Sequence, residues 1–247
     1  MSSKTATDIT LYTVTTPNGI KASILLEELK LDYKVRAIKM TEHEQKEPWF
    51  LEINPNGRIP AMTDTWTDGK AIRIFESGAI LQYLVDRYDK DYKVSYPRDT
   101  PEYWEMTSWL MWQIGGLGPM QGQSNHFKRM LPAHISQSTR RLYRTMDEAL
   151  KKNPHRVLVG DRVTIADISA WGWIASHKWA GVDIEEFPSL KTWLYELLKR
   201  PGFEAGRNVP TPQTAFEQNK LSEAELDARA AGARGWVQAG MKADAKK

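Results

Sequence analysis

The chain has 247 residues, 41% of them hydrophobic, so it can bury one large core or two modest ones. Its formal net charge of +3, from 34 basic and 31 acidic residues, is too small and too interspersed to indicate a nucleic-acid partner. The absence of cysteine excludes disulfides, thiolate metal ligands and a catalytic cysteine, so any thiol chemistry must use a thiol that a ligand brings.

Targeting and metal-binding signals are also missing from the sequence. No run of about 18 apolar residues predicts a membrane span, and residues 1–5 lack the apolar stretch of a secretory signal. We therefore expect a cytoplasmic protein with no membrane partner. No metal is expected, because no histidine has metal-ligand spacing or pairs with a candidate nucleophile: His43, His126, His134, His155 and His177.

The first predicted elements are a strand, a turn and a helix. Residues 10–14 favour a strand, and residues 15–19 combine turn chemistry with a helix start. From residue 20, apolar residues recur at helical spacing. The loop delivers Thr16 and Asn18 to a helix N-terminus, where unpaired N–H groups and the helix dipole favour a thiolate or carboxylate. Asn18 has a simpler alternative role, because Pro-Asn-Gly is favoured wherever a chain bends.

A small α/β layer continues from this helix. Residues 33–38 favour a second strand, and residues 54–57 form a strong turn signal. The segment 59–62 starts a third strand, in which Pro60 must lie where no N–H is needed by the sheet. A cis peptide bond between Ile59 and Pro60 fits this position.

The layer ends with a strand at residues 71–75 and a helix that Glu76 and Ser77 open. We expect Ser77 to cap this helix and to present N–H groups to a carboxylate. The sequence thus predicts a second anion site, built on the same principle as the first.

Residues 89–101 carry turn residues and charge without periodicity, which predicts a linker between domains 1–88 and 102–210. Beyond the linker, strand signals nearly vanish and helical spacing recurs, which predicts an all-helical domain. The predicted helices span residues 102–114, 135–150, 165–179 and 190–199. Residues 164–167 match a capping box, which is a folding element. The C-terminal tail, residues 211–247, is either a docked helix or a loosely ordered segment.

Five segments, in this order along residues 9–205, resemble the glutathione transferase superfamily. They are residues 16–19 (TPNG), 54–61 (NPNGRIPA), 75–80 (FESGAI), 115–120 (GGLGPM) and 164–167 (TIAD). The first and fourth look like the nu class, meaning bacterial glutathione-dependent disulfide-bond reductases and fungal proteins similar to the yeast nitrogen-catabolite regulator. The resemblance implies a thioredoxin-like α/β N-terminal domain, an all-α C-terminal domain, glutathione as cosubstrate and a homodimer.

The resemblance also implies roles for residues of the N-terminal domain. Pro60 would be the cis proline, leaving the backbone of Ile59 free to pair with the cysteinyl part of glutathione. Glu76 would hold the ammonium group of the γ-glutamyl end, and Ser77 would hold its carboxylate.

Further candidates face the other parts of the tripeptide. Gln45 and Arg58 would face the glycyl end, with His43 as a further candidate, and Arg58 has a surface charge as its alternative role. Thr16 and Asn18 would lie beside the sulfur as the catalytic residues.

The second substrate should lie between the domains, in front of the sulfur. Candidates for its walls, each with a core role as the alternative, are Trp109, Met111, Trp112, Met120, Phe127 and Trp171. Residues 115–119 either kink the helix that carries several of these residues or form a plain interhelical turn. Lys128, Arg129 and His134 either meet a second anionic glutathione or lie on a solvated helix face.

Two functions follow from the resemblance. The first is a glutathione-dependent transferase with disulfide reductase or peroxidase activity; the second is a non-catalytic glutathione-binding regulator. The regulator type carries a long Asn/Gln-rich N-terminal extension, whereas about eight residues precede the first strand here, which favours the enzyme. Tyr12 is an alternative catalytic hydroxyl, although the motif assigns the positions nearest sulfur to the following loop. The electrophile and the number of bound glutathiones stay open.

Overall fold

The computed structural model describes residues 4–127 and 134–231, without the side chains at 126, 127 and 134–136. The N-terminal strands are β1 (Thr10–Thr13), β2 (Lys34–Ala37), β3 (Ala61–Thr65) and β4 (Ala71–Phe75), and its helices are α1 (Gly19–Glu28), α2 (Pro48–Ile53) and α3 (Ser77–Tyr88). The later helices are α4 (Pro101–Trp112), α5 (Gly118–Phe127), α6 (His134–Lys152), α7 (Ile165–Ala175), α8 (Pro188–Leu198), α9 (Pro201–Gly206) and α10 (Ala215–Gln218).

The four strands form one sheet in the order β2-β1-β3-β4, with β2 parallel to β1 and the other two pairs antiparallel. Side chains alternate between the faces of the sheet. Leu11 and Met62 join the main core under α1 and α3, whereas Tyr12 and Ala61 join a smaller cluster with Phe50 of α2. This arrangement confirms the predicted thioredoxin-like N-terminal domain followed by an all-α C-terminal domain.

Three chain segments leave or enter the sheet at the same end. Tyr12 of β1 is the register partner of Ala61 of β3, which is in turn the partner of Phe75 of β4. From this end β1 continues into the loop before α1, the chain enters β3, and β4 continues into α3. The sheet register therefore brings together the three N-terminal segments that the sequence singled out.

The observed strand bounds lie close to the predicted ones. β4 has the predicted bounds, β2 is one residue shorter at each end, and Pro60 precedes β3 because proline has no N–H for the ladder. The helix predicted over 165–179 ends at Ala175 instead. There the N–H groups of Ser176 and His177 bond to carbonyls three residues back, which tightens and ends the helix.

The glycine-rich segment 115–119 lies within a continuous helical path. α4 runs into one turn of π-helix (Gln113–Leu117) and directly on into α5, so the plain interhelical turn is wrong, and a kink of this path stays a prediction. A Cβ atom added at Gly118 or Gly122 would lie 3.6 Å from the ring of Trp173. This is ordinary van der Waals distance, so α5 packs against the ring of Trp173 at these two positions.

The predicted capping box at the start of α7 is confirmed. Thr164 Oγ1 accepts from the N–H of Ala166, and the Asp167 carboxylate accepts from the N–H of Thr164 at 3.0 Å. The same carboxylate accepts from the N–H of Leu158 at 3.0 Å and from Trp193 Nε1 at 2.9 Å. Burial raises the pKa of Asp167, and these donors compensate its lost hydration.

The first part of the predicted tail, residues 211–231, packs against the rest of the chain. Thr15 Oγ1 donates to the carbonyl of Thr211 at 2.7 Å, residues 223–231 are helical, and Ala215 and Leu226 are buried. The rest of the tail, 232–247, lies outside the described residues. Within residues 4–127 and 134–231, no helix is long and apolar enough to cross a membrane.

Replacing Asp167 by alanine should destabilise the protein, because it leaves the buried N–H groups of Leu158, Thr164 and Trp193 without an acceptor. Each unpaired buried donor costs about 1–3 kcal/mol, so urea denaturation should show a loss of about 3 kcal/mol or more. Asp183→Ala is the matched control: Asp183 accepts from the N–H of Glu185 at an exposed turn, and its loss should cost under about 1 kcal/mol. Equal losses in the two variants would contradict this account.

Candidate functional site

The loop between β1 and α1 (residues 14–18, the β1–α1 loop) presents Thr16 and Asn18 at the start of α1. Thr16 Oγ1 accepts from the N–H of Gly19 at 3.1 Å. A hydroxyl can accept and donate at once, and the Thr16 hydroxyl hydrogen has no acceptor among the described residues. Thr16 can therefore order the loop and still donate to an anion.

A bond from the helical domain orients the side chain of Asn18. Asn18 Oδ1 accepts from Trp173 Nε1 of α7 at 3.1 Å, and Asn18 does not cap α1 with its side chain. An indole N–H can only donate, so the amide must present its oxygen to Trp173 and its NH₂ group elsewhere. A role in turn geometry alone does not account for this bond.

Close packing of α7 against α1 makes this bond possible. A Cβ atom added at Gly172 would lie 2.8 Å from Ile20 Cδ1 and 3.0 Å from the carbonyl of Pro17, so any larger residue would require α1 and the loop to shift. The next residue, Trp173, is 8% exposed and reaches the β1–α1 loop from there.

The N-terminus of α3 is the second anion site that the sequence predicts. Ser77 is its first residue, and the exposed Glu76 precedes it with a φ of 69°. The expectation that Ser77 caps the helix is wrong, because Glu76 holds the cap position and Ser77 Oγ accepts from Lys21 Nζ of α1 at 3.2 Å. The first-turn N–H groups of α3 still have no partner within the helix, and the positive end of its dipole lies there.

Lys21 is a buried cation beneath Ser77. Its side chain is 1% exposed, and Nζ also donates to Gln113 Oε1 in the π-helical turn at 2.6 Å. Burial lowers the pKa of Lys21 to about 7, and the nearby Glu76 carboxylate opposes that shift. One ammonium thus joins the starts of α1 and α3 to the helical domain.

The turn before β3 leaves the backbone of Ile59 without hydrogen bonds in the described residues. Asn54 Nδ2 donates to the carbonyl of Arg58 at 2.7 Å, and Asn54 Oδ1 accepts from the N–H of Asn56 at 2.9 Å. The Ile59–Pro60 bond is cis, as the sequence predicted. In the described residues, neither the N–H nor the carbonyl of Ile59 has a hydrogen-bond partner, so both are available to an extended peptide.

Gln45 and Arg58 lie at this turn with different exposures, and His43 lies two residues before Gln45 in the chain. Gln45 is buried, and its Oε1 has no hydrogen-bond partner within the described parts of the chain. Its carbonyl lies 2.9 Å from a Cβ atom added at Gly57, which places it beside the turn. Arg58 is exposed, and His43 has a left-handed φ of 57°. Contact of these three residues with a glycyl carboxylate stays a prediction.

Tyr12 lies on the α2 face of the sheet. Its ring centroid lies 6.2 Å from that of Trp49 and 6.3 Å from that of Phe50, and its hydroxyl lies 3.5 Å from Thr63 Oγ1. The sheet alternation puts it on the α2 face, which favours Thr16 and Asn18 as the polar groups nearest the sulfur.

The structure does not gather the predicted wall residues around one cleft. The assignment of Trp171 to a wall is wrong, because Trp171 is fully buried and donates from Nε1 to the carbonyl of Leu194 at 3.1 Å. Its ring centroid lies 5.3 Å from that of Phe203. Helical spacing alone could not tell this core position from a cleft position.

The other wall candidates do not share one environment. Trp109 packs against Trp112 at 5.1 Å and lines a groove of about 990 Å³ whose walls come from residues 96–162. Met111 is 47% exposed, and Met120 packs against the main core. Their contact with a second substrate stays a prediction. Phe127, Lys128, Arg129 and His134 have side chains outside the described residues.

A separate cavity of about 230 Å³ adjoins Thr16 between the two domains. Its walls come from the β1–α1 loop, α5, the segment after α7 and the docked tail: Thr15, Thr16, Pro17, Asn125, Ser176, Trp179, Gln213, Thr214, Ala215 and Gln218. The space beside the loop is thus lined mostly by residues that sequence reasoning missed.

Sequence reasoning also missed Lys21, Gln113 and Trp173. The sequence did contain a signal for Lys21. Ile24 and Leu25 follow it by three and four positions on α1, so Lys21 lies on the buried face of that helix. Nothing local distinguished Trp173 or Gln113. In the parts of the chain that the structure describes, no group of three or more His, Cys, Asp or Glu residues could hold a metal ion.

Comparison with known proteins identifies the family. The chain matches the models "Glutathione S-transferase, N-terminal domain" over residues 7–86 and "Glutathione S-transferase, C-terminal domain" over residues 113–201. It is 36% identical over 202 residues to the disulfide-bond oxidoreductase YfcG of Escherichia coli (strain K12), covering 78% of this chain and 91% of that protein. The chain therefore belongs to the glutathione S-transferase family.

Two fungal proteins refine this assignment. The chain is 31% identical over 225 residues to Protein URE2 of Meyerozyma guilliermondii, covering 75% of this chain and 74% of that one. A glutathione transferase homolog from Lodderomyces elongisporus, solved with two GSH per subunit, has a TM-score of 0.77 and 41% identity, covering 82% of this chain and 99% of that chain. These relatives place the chain in the Ure2-like group of the family.

Trp173→Phe should lower turnover of a small disulfide with glutathione about threefold to tenfold, because the Asn18 amide loses its orienting donor. Glutathione affinity, measured by calorimetry, should change less than threefold. Trp171→Phe is the matched control, since it removes an indole N–H bond from the same helix without touching the β1–α1 loop. If both variants lost turnover equally, general destabilisation would replace orientation as the explanation.

Proposed function

We propose that the protein is a glutathione-dependent transferase that uses the thiolate of bound glutathione as its nucleophile and reduces small disulfides. The observation that supports this most strongly is the meeting of two helix N-termini at one end of the sheet. The bond between Lys21 and Ser77 joins these N-termini directly, and the unpaired backbone of Ile59 lies at the same end.

Glutathione would lie along this end of the sheet. The γ-glutamyl carboxylate would bind the hydroxyl of Ser77 and the first N–H groups of α3, and the exposed Glu76 would bind the ammonium group. Ile59 would pair with the cysteinyl backbone, and Gln45 and Arg58 would face the glycyl end. The sulfur would then lie beside Thr16 and Asn18.

Neutral donors are sufficient to activate the thiol. A free thiol has a pKa of about 8.5, so only a few per cent is thiolate at pH 7. One hydrogen bond plus a helix N-terminus, at about 0.5–2 kcal/mol each, lowers that pKa by one or two units, since a unit is about 1.4 kcal/mol. The hydroxyl of Thr16 and the NH₂ group of Asn18 are such donors.

The absence of cysteine restricts how a disulfide is reduced. The bound glutathione thiolate attacks one sulfur, forms a mixed disulfide and releases one thiol. A second glutathione thiolate then attacks the mixed disulfide, releasing the other thiol and forming glutathione disulfide. The relative named a disulfide-bond oxidoreductase, and the neighbour solved with two GSH per subunit, support this two-thiol route.

Peroxide reduction by the same thiolate, a homodimer and a cytoplasmic location remain predictions of the sequence. The similarity to Protein URE2 supports the alternative of a non-catalytic glutathione-binding protein of the same fold. Tight glutathione binding without turnover of disulfides, peroxides or activated aryl halides would favour this alternative.

Asn18→Ala should lower turnover of bis(2-hydroxyethyl) disulfide with excess glutathione by about tenfold to a hundredfold, because it removes a hydrogen bond to the thiolate. The calorimetric Kd for reduced glutathione should change less than threefold. Ser77→Ala should instead raise that Kd about tenfold, because it removes a hydrogen bond to the carboxylate.

Asn153→Ala is the matched control, since Asn153 bonds the carbonyl of Gly160 in a distant loop and should leave both quantities unchanged. Unchanged turnover in Asn18→Ala would show that Asn18 is not the neighbour of the sulfur. No binding of glutathione at millimolar concentration by the unmodified protein would rule out the proposed function.

A further inference from the structure

We propose that Lys21 is a positioning residue for glutathione: from beneath Ser77, its buried ammonium attracts the γ-glutamyl carboxylate and directs the Ser77 hydroxyl toward it. This inference rests on the proposed function and adds a charge that acts through Ser77 without touching the ligand.

The first step is that Lys21 is a buried lysine whose ammonium form, populated below a pKa of about 7, has only neutral partners. Its ammonium donates to the hydroxyl oxygen of Ser77 and to the amide oxygen of Gln113. Within residues 4–127 and 134–231, no carboxylate lies within ion-pair distance of Nζ, and the exposed Glu76 acts on it only from further away. A buried charge without a counter-ion is costly, so the site retains a positive potential that an anionic ligand can compensate.

The second step concerns the direction of the Ser77 hydroxyl. An ammonium can only donate, so Ser77 Oγ must be the acceptor in the bond from Lys21. The hydroxyl hydrogen is then free to point out of the protein, toward the N-terminal end of α3. Bonds in such a chain polarise one another, so the ammonium makes Ser77 a stronger donor to a carboxylate.

The third step is distance. A carboxylate oxygen that accepts from Ser77 at about 2.7 Å would lie within about 6 Å of Lys21 Nζ. Because the ammonium is buried, its field is weakly screened over that distance. The lysine, the hydroxyl and the first N–H groups of α3 would therefore attract the same carboxylate from one side.

Binding should consequently depend on the protonation of Lys21. The ligand carboxylate favours the ammonium form, so binding should raise the pKa of Lys21 from about 7 and take up protons. Affinity should then fall as pH rises above 7.

Few other ionisable groups surround Lys21. On α1, Glu27 and Glu28 lie nearly two turns away and pair with Lys4 and Arg200. Asp167 of α7 is held by the donors of its capping box, and the turn Gln113–Leu117 has no ionisable side chain. Among the described residues, Glu76 is the ionisable group that bears on the pKa of Lys21.

Two variants test the inference, and each changes one partner of the contact between Lys21 and Gln113. Lys21→Met removes the charge and keeps the length of the side chain. Gln113→Glu keeps Lys21 and gives it a carboxylate partner in place of the amide oxygen 2.6 Å away. This second variant pairs the buried ammonium with a carboxylate instead of removing it, and thermal melting checks that it folds, so it carries the test even if Lys21→Met folds poorly.

Isothermal titration calorimetry should use two ligands. The first is S-methylglutathione, whose sulfur is methylated, so no ligand thiol ionises during the pH series. The second is an analogue in which 4-aminobutyryl replaces γ-glutamyl, so that the α-carboxylate is absent. Both variants should bind S-methylglutathione about tenfold more weakly than the unmodified protein. Both should bind the analogue within twofold of the unmodified protein. Between pH 7 and pH 9, the loss of affinity should be steeper in the unmodified protein than in Lys21→Met.

Each other outcome has a defined meaning. Equal weakening for both ligands would assign Lys21 a purely structural role and overturn the inference, as would unchanged affinity for S-methylglutathione in the two variants. No binding of S-methylglutathione by the unmodified protein would overturn the proposed function and this inference with it. Binding by the unmodified protein with no carboxylate-specific loss in either variant overturns the inference alone.

Discussion

The bond between Lys21 and Ser77 connects the elements on which the candidate site depends. It crosses from the first turn of α1 to the first residue of α3 in 3.2 Å, so the two helix N-termini are held side by side at one end of the sheet. The second bond of Lys21, to Gln113, fixes this pair to the helical domain. Burial of the Lys21 ammonium destabilises the fold, and this charge lies where an anion would bind and compensate it.

The helical domain contributes directly to the site in the N-terminal domain. Gly172 allows α7 to approach α1, and Trp173 then reaches across to the amide of Asn18. Gly118 and Gly122 accommodate the same ring from α5. α5 therefore packs against the residue that orients Asn18.

The absence of cysteine connects composition to mechanism. In the proposed function, a protein without thiols uses the thiol of a bound ligand, and its site must stabilise the anion of that thiol. The hydroxyl of Thr16 and the NH₂ group of Asn18 provide such donors, and a helix N-terminus adds a positive potential that does not depend on pH. Lys21, by contrast, adds a positive potential at the carboxylate end that its own titration can remove.

The sequence alone determined the strands, the approximate bounds of three of the four helices predicted after the linker, and the capping box at Thr164, because periodicity and turn chemistry are local properties. It also placed Thr16, Asn18 and Ser77 at helix starts for the same reason. The cis Ile59–Pro60 bond was predicted from the family resemblance. Only the tertiary structure decided that Trp171 is core, that Ser77 is held by a lysine and that Asn18 is oriented by a tryptophan 155 residues away. Those outcomes depend on which helix packs against which, and helical spacing within one segment carries no information about its neighbours.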